Sequence, residues 1–232
     1  TFGFEMLYMQ DDIFPLWNHS WLEEFCKAYG RRIGKPLHIQ IRVEMIRSWM
    51  IPLLKEAGVH GVTFAIESGD EALRRRILRR MVKDSQIVQG AELLSKAGFK
   101  IRIENVLGFP GDTLETAIKT LDLNRRCRPD LAWASLFQPY PGTILGDYAV
   151  EHGLFSGSLD ELDEDFFSSL QMNHPQKSQI ENLQKLFALA ARYSLVRKCI
   201  PFLIRVPPNR IYKSIYSLWK SYIYRTKLFK LR

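Results

Sequence analysis

The residues able to do chemistry stand at the ends of apolar runs. Asp11 and Asp12 follow Phe4–Met9, Arg42 closes a run from Leu37, and Glu67 with Ser68 follows Gly61–Ile66. Asn105 to Gly111 close a run that begins at Phe99, and Pro139-Tyr140-Pro141-Gly142-Thr143 follows Leu131–Phe137. Carboxylates hold cationic groups through charge-assisted hydrogen bonds, and arginine grips a carboxylate with two parallel bonds. A hydroxyl beside a carboxylate suits a hydroxyl-bearing ligand. Gly108 and Gly111 permit close backbone approach, and two prolines stiffen the last turn. Each group also has a plain structural reading. Asp11 and Asp12 can be turn or capping acids, and Ser68 a cap beside a solvated Glu67. Gly108 can serve a tight strand-to-helix turn, and Arg42 can pair with Glu67 or Asp12.

Other chemistries find no footing. Cys26, Cys127 and Cys199 are 101 and 72 residues apart, so no short-spaced metal motif exists. A sparse odd count also argues against a disulfide scaffold and makes a reducing cytoplasm the default. The five histidines show no ligand spacing. Arg74, Arg75, Arg76, Arg79 and Arg80 make a basic helix face, read as solvated, with a phosphate- or nucleic-acid-binding patch as the alternative.

The elements that must position these groups alternate. A strand at 4–9 leads to a helix capped by Ser20, with Glu23 at the capping-box position. A strand at 37–43 precedes a helix at 44–57 that Pro52 can kink. A strand at 61–66 is followed by helices at about 70–78 and from Asp84 or Ser85 to Ala97. A strand at 99–107 precedes a helix capped by Thr113, and a last strand spans 131–137. Five strands with helices between them mean parallel βαβ units. Right-handed crossovers then bring every strand's C-terminal end to one rim, where such folds place ligands. With 232 residues, 46% hydrophobic and 25% charged, the chain can bury one substantial core and is not disordered. No apolar stretch approaches ~18 residues, and the start has no signal-peptide pattern. Because the chain opens on Thr1 inside what reads as a strand, it is expected to be a fragment.

Four rim segments, YMQDDIF, GVTFAIESGDEALRRRI, NVLGFPGDT and FQPYPGT, come in the order and spacing of one family. Together they resemble the radical S-adenosylmethionine enzymes, closest to the cobalamin-binding branch. The likeness covers roughly residues 3–153 and implies an α/β fold, a partial (β/α)6 TIM-like barrel open as a parallel horseshoe, followed by a C-terminal helical extension at 154–232. It implies an enzyme in which S-adenosylmethionine on a 4Fe-4S cluster is cleaved to a 5′-deoxyadenosyl radical, with cobalamin-dependent methyl transfer or cyclisation as outcomes for the parent protein. By the same likeness, Asp11 and Asp12 lie by the methionine ammonium and Arg42 by its carboxylate. Glu67 and Ser68 lie by the ribose, and Asn105, Gly108, Pro139 and Tyr140 by the adenine or barrel mouth. The family holds its cluster with a CxxxCxxC loop after its first strand. This sequence has no such loop, and its first strand matches the family's second. The pattern places the missing piece immediately before Thr1, so this chain alone is expected to bind no cluster and to be inactive.

Residues 192–232 carry 11 Lys and Arg and no Asp or Glu, whereas the rest carries 22 against 25. Helices are expected at 179–198 and from Ile211 onward, interrupted by Pro201, Pro207 and Pro208. Ile211, Ile215, Leu218, Tyr222 and Phe229 form a stripe beside Lys213, Lys220 and Lys227. A packing helix with solvated lysines is the plain reading, and peripheral contact of 209–232 with an anionic membrane is the sharper one. The expected partners are a small-molecule substrate and the parent chain's N-terminal domain, with no specific nucleic acid. The competing reading is a non-catalytic nucleotide-pocket module that binds RNA or a membrane through the basic tail.

Overall fold

In the computed structural model, residues 3–11, 14, 18–158, 160, 162–163, 165–223 and 225 are described. Strands β1 (Leu7–Tyr8), β2 (Leu37–Gln40), β3 (Val59–Glu67), β4 (Lys100–Leu107) and β5 (Leu131–Leu136) lie side by side in chain order. Every pairing is parallel. Helices α1 (His19–Arg32), α2 (Met50–Glu56), α3 (Glu71–Arg76), α4 (Asp84–Lys96) and α5 (Leu114–Cys127) supply the crossovers. The sheet curls into a half-barrel with its C-terminal strand ends on one rim, as the alternating pattern requires.

Strand alternation divides the sheet into two faces. Ile39, Val62, Phe64, Ile66, Ile101 and Ile103 point outward into a core with Leu22 and Cys26 of α1, Leu54 of α2, and Ile87 and Leu94 of α4. The opposite parity carries His38, Thr63, Arg102, Glu104 and Trp133 to the concave face. These apolar runs therefore contain the polar residues of the interior without losing the core.

Local chemistry sets several boundaries. Thr113 caps α5 as expected, accepting from Thr116 N while Thr116 Oγ1 accepts from Thr113 N. At α1 the cap is Asn18, and the expected Ser20 instead donates to Asn18 Oδ1 at 2.7 Å. The expected helix at 44–57 divides into a 3-10 turn, Val43–Met45, and α2. Pro52 sits in the first turn of α2, where a missing N–H breaks no intrahelical bond. The first strand is shorter than expected, two residues rather than six.

Beyond β5 come α6 (Ile144–Glu151), α7 (Lys177–Arg192), α8 (Ser194–Leu203) and α9 (Arg210–Ile223). Pro201 lies inside α8 instead of interrupting the tail there. One apolar cluster joins Leu107, Leu121 and Leu136 of the half-barrel to Leu183, Phe187 and Ile200 of the tail, so packing is continuous across residue 153. The α7 helix also covers the β5 edge, because Gln184 Nε2 donates to Ala134 O at 2.8 Å. Leu136 N donates to Phe166 O at 2.7 Å on the same strand, which protects an edge that would otherwise template pairing. The α9 helix then packs Trp219 and Ile223 against Leu131 and Trp133. Among the described residues no helix is long and apolar enough to cross a membrane.

Candidate functional site

A cavity of about 450 Å³ opens on the concave face at the C-terminal ends of β2 and β3. Gln40, Arg42, Thr63, Glu67, Arg79, Arg80 and Glu104 supply its polar lining. Glu67 and Arg79 reach this cavity from left-handed backbone. The register with β4 slips between Ala65 and Glu67, and Glu67 adopts φ 65°. A side chain in that left-handed region costs roughly 1–2 kcal/mol, and such strain gathers at functional positions. Burial raises the Glu67 carboxyl above the usual range, with Glu104 acting in the same direction and Arg80 opposing. Arg80 Nη1 stands 3.5 Å from Glu67 Oε1.

The concave wall continues as a polar network. Thr63 Oγ1 meets His38 Nε2 at 2.8 Å and Tyr8 OH at 3.3 Å. Arg102 pairs with Glu104 at 2.7 Å, and its guanidinium carbon lies 4.6 Å from the Trp133 ring centroid. Gln40, Thr63, Arg80, Arg102 and Glu104 were not singled out as site residues from the sequence. Their signal was parity: each strand member lies an even number of residues from another concave-face position.

The anticipated residues divide between the cavity and the framework. Glu67 and Arg42 line the cavity. Arg42 is exposed and donates through Nε to Glu44 Oε1 at 2.7 Å, so its ion pair is with Glu44 rather than Glu67. Asp11 is exposed beyond β1, one residue from Gln10, whose Oε1 accepts from cavity-lining Gln40 at 3.4 Å. Asp12 lies outside the described residues.

Ser68 does not line the cavity. It is fully buried, its hydroxyl accepts from Asp70 N at 3.2 Å, and its carbonyl accepts from Arg74 at 2.7 Å. Asn105 has core parity and points behind the sheet, where it exchanges amide hydrogen bonds with Asn124 at 2.8 and 3.2 Å and donates to Trp133 O at 2.8 Å. Gly108 has φ 80°, and an added Cβ would lie 2.7 Å from Leu170 Cδ1, so it permits packing of the tail. Pro139 is buried, whereas Tyr140 is exposed and accepts through its carbonyl from Thr143 Oγ1 at 2.7 Å.

Removing the Asn105 amide would take the donor from Asn124 Oδ1 and from Trp133 O, although Asn124 Nδ2 still donates to Thr120 O. Asn105→Ala is expected to lower stability by about 2 kcal/mol in urea denaturation while leaving ligand affinity at the cavity within a factor of two. Unchanged stability would remove this framework role.

The three cysteines do not fit an iron–sulfur cluster. Cys26 and Cys127 are buried in α1 and α5, where burial pushes their thiols up to about 11 and about 12. Cys199 lies in α8. Cluster ligation needs converging thiolates, and among the described residues no group of three or more His, Cys, Asp or Glu could hold a metal ion.

Residues 15–123 match the family model of the radical SAM superfamily. The chain is 26% identical over 219 residues to an uncharacterised methyltransferase of Pyrococcus horikoshii, covering 93% of this chain and 44% of that protein. Among solved structures, the radical S-adenosylmethionine methyltransferase TsrM of Kitasatospora setae, with cobalamin and a 4Fe-4S cluster bound, aligns with TM-score 0.54 and 18% identity. That alignment covers 64% of this chain and 29% of TsrM. Coproporphyrinogen III oxidase of Escherichia coli, a radical SAM enzyme, aligns with TM-score 0.55 and 15% identity over 78% of this chain and 39% of its own. The chain thus spans less than half the length of these relatives. Residues 15–123 match the radical S-adenosylmethionine superfamily model, and the parallel half-barrel that contains them shares the fold of radical SAM enzymes of known structure.

Proposed function

We propose that the cavity at the β2–β3 rim binds S-adenosylmethionine, and that the chain is the barrel remainder and C-terminal helices of a radical S-adenosylmethionine methyltransferase. The observation that carries this is Glu67, held in strained backbone at the mouth of a 450 Å³ cavity within the family-matched residues. Its carboxyl can hydrogen-bond ribose hydroxyls, in either protonation state. Arg42 retains donors at the lip for the methionine carboxylate, and Asp11 with Asp12 supplies charge for the ammonium. Gln40, Thr63 and Glu104 line the surface on which a substrate would be oriented.

In the parent protein of this reading, a 4Fe-4S cluster would supply reducing power toward the sulfonium. Its thiolates must come from outside these 232 residues, so the chain alone is inactive in radical formation. Cobalamin in the parent protein is the version of this reading suggested by TsrM. The missing thiolates favour a second reading for the chain on its own, a nucleotide-binding barrel without chemistry.

Calorimetric titration of the purified chain with S-adenosylmethionine tests the proposal. Saturable binding is expected, with Glu67→Gln weakening it about tenfold, or ~1.4 kcal/mol. Anaerobic reconstitution should leave no retained iron and yield no 5′-deoxyadenosine. Equal affinity of wild type and Glu67→Gln would remove the assigned role of Glu67, and absence of binding would remove the site.

A further inference from the structure

We propose that a second pocket, formed by α7, α9 and the 165–169 segment, binds a phosphate-bearing ligand through Lys185, Lys213 and Lys220. The pocket has a volume of about 420 Å³, and Ser168, Ser217 and Ser221 line it beside the three lysines. Lys213, Ser217, Lys220 and Ser221 recur at i, i+4, i+7 and i+8, which sets them on one face of α9. Lys185 reaches the same space from α7.

Among the described residues none of these three ammonium groups forms an ion pair within 4 Å. The lysines forming ion pairs among the described residues are Lys27, Lys96, Lys100 and Lys119. Lys185 is buried, and it donates to Phe167 O and to Gln184 Oε1, both neutral acceptors. Lys220 Nζ lies 4.7 Å from the Trp133 ring centroid and 5.1 Å from that of Phe167. Lys185 Nζ lies 5.6 Å from the centroid of Tyr216. Aromatic faces attract cations only weakly compared with an anion.

The pocket's carboxylate, Asp165, is occupied within its own segment. It accepts from Phe167 N and Ser168 N at 2.7 Å each and from Ser168 Oγ at 3.0 Å. Burial, with Lys213 acting in the same direction, pushes the Lys185 ammonium down to about 8. Glu181, Asp165 and Asp163 oppose that shift, but Glu181 accepts from Leu170 N and Asp163 from Ser169, so the three lysines converge where the nearby carboxylates are already hydrogen-bonded. That setting suits a phosphate, which also accepts hydrogen bonds from Ser217 and Ser221.

The position gives the ligand a direction. Lys220 touches Trp133, Trp133 stacks under Arg102, and Arg102 pairs with Glu104 in the first cavity. A molecule anchored by its phosphate in the second pocket would extend along the concave face toward Glu67. Reading that molecule as the substrate rests on the function proposed above, whereas phosphate binding does not. The phosphate can come from a soluble molecule or a lipid headgroup, since Ile211, Leu218 and Tyr222 are exposed elsewhere on α9.

The test uses the full 232-residue chain, titrated calorimetrically with pyrophosphate in the absence of S-adenosylmethionine, and sedimented with phosphatidic acid or phosphatidylcholine vesicles. Saturable pyrophosphate binding, weakened at least tenfold in Lys213→Ala/Lys220→Ala and in Lys185→Met but unchanged in Lys198→Ala, supports a soluble source. Sedimentation with phosphatidic acid alone, lost in the same variants, supports a lipid source. No binding in either arm, or binding indifferent to these lysines, overturns the site. Because S-adenosylmethionine is titrated separately, failure of the first cavity leaves this outcome readable.

Discussion

Arg74→Ala is expected to destabilise the protein by roughly 3–5 kcal/mol, the cost of emptying a fully buried site and leaving its hydrogen-bond acceptors unpaired. Arg74 is fully buried within a helix of six residues. Its Nη1 donates to Ser68 O at 2.7 Å, and Nε and Nη2 each lie 3.3 Å from Val82 O. Nη2 also pairs with Asp84 Oδ1 at 2.5 Å. One guanidinium thus ties the segment after β3 to the start of α4, and truncation would leave two carbonyls and a carboxylate without their donor while opening a large void. With a urea slope near 2 kcal/mol per M, the midpoint should fall by roughly 2 M. Arg74→Lys should recover only part, because an ammonium cannot reproduce the planar fork. Arg75→Ala, at an exposed neighbour, should stay within ~0.5 kcal/mol of wild type. A midpoint for Arg74→Ala close to wild type would show that these contacts carry little. Since the Ser68 carbonyl adjoins Glu67, S-adenosylmethionine affinity should fall with the stability.

Arg74 also shows where reading the sequence runs out. Arg74, Arg75 and Arg76 form one charged run, and charge runs normally lie in solvent. Successive helical residues nevertheless point about 100° apart, so a run on a short helix docked into a loop cannot keep all its members outside. Which one turns inward depends on tertiary packing against Val82 and Asp84, eight and ten residues away. The larger pattern was accessible because it is local and repeated: apolar alternation, Gly58 and Gly98 after their helices, and the Thr113 cap all agree with parallel βαβ units. Glu67 was legible as an acid ending an apolar run. Ser68 and Asn105 stand at strand ends in the same way yet face the framework, since a polar residue there can serve the loop or helix behind it. Glu104 and Arg102 went unread because polar residues inside a strand look like interruptions until the concave face is known.

The two cavities differ in charge along the concave face, the first mixing acids with arginines and the second gathering lysines. Glu67 and Glu104 share the first cavity with Arg42, Arg79 and Arg80, and Arg102 with Trp133 forms the divide. Cation dominates beside Lys185, Lys213 and Lys220. On the readings proposed above, a sulfonium nucleotide beside Glu67 and a phosphate-bearing molecule beside the lysines would lie at opposite ends of one trough, which orients both before any bond is made. The basic tail thereby contributes directed charge to the interior through α9, beyond the solvated lysines that composition alone suggested.

Acidification should expose the histidine inside that trough. His38 is fully buried, stacked on Tyr8 with ring centroids 4.6 Å apart, and its Nε2 meets Thr63 Oγ1 at 2.8 Å. The ring is accommodated because Gly61 has no side chain: a Cβ there would lie 2.4 Å from His38 Nδ1. Burial chiefly, then the charges of Arg102 and His60, pushes His38 from 6.5 down to about 4. Between those values the folded protein keeps the ring neutral while the unfolded chain takes up a proton. Stability is therefore full above pH 6.5 and is lost as pH falls toward 4. At ~1.4 kcal/mol per pH unit across that window, His38 alone should cost roughly 3 kcal/mol by pH 4. Glu67 and Asp112, raised by burial, oppose this as they protonate, whereas Asp70 and Asp165, which are lowered, reinforce it near the bottom of the range. The His38 contribution is isolated by difference. Urea denaturation of wild type and His38→Gln at pH 7, 6 and 5 should show wild type losing about 2 kcal/mol more than the variant over that interval. Parallel pH dependences would mean that the imidazole titrates normally and that the concave wall admits its charge.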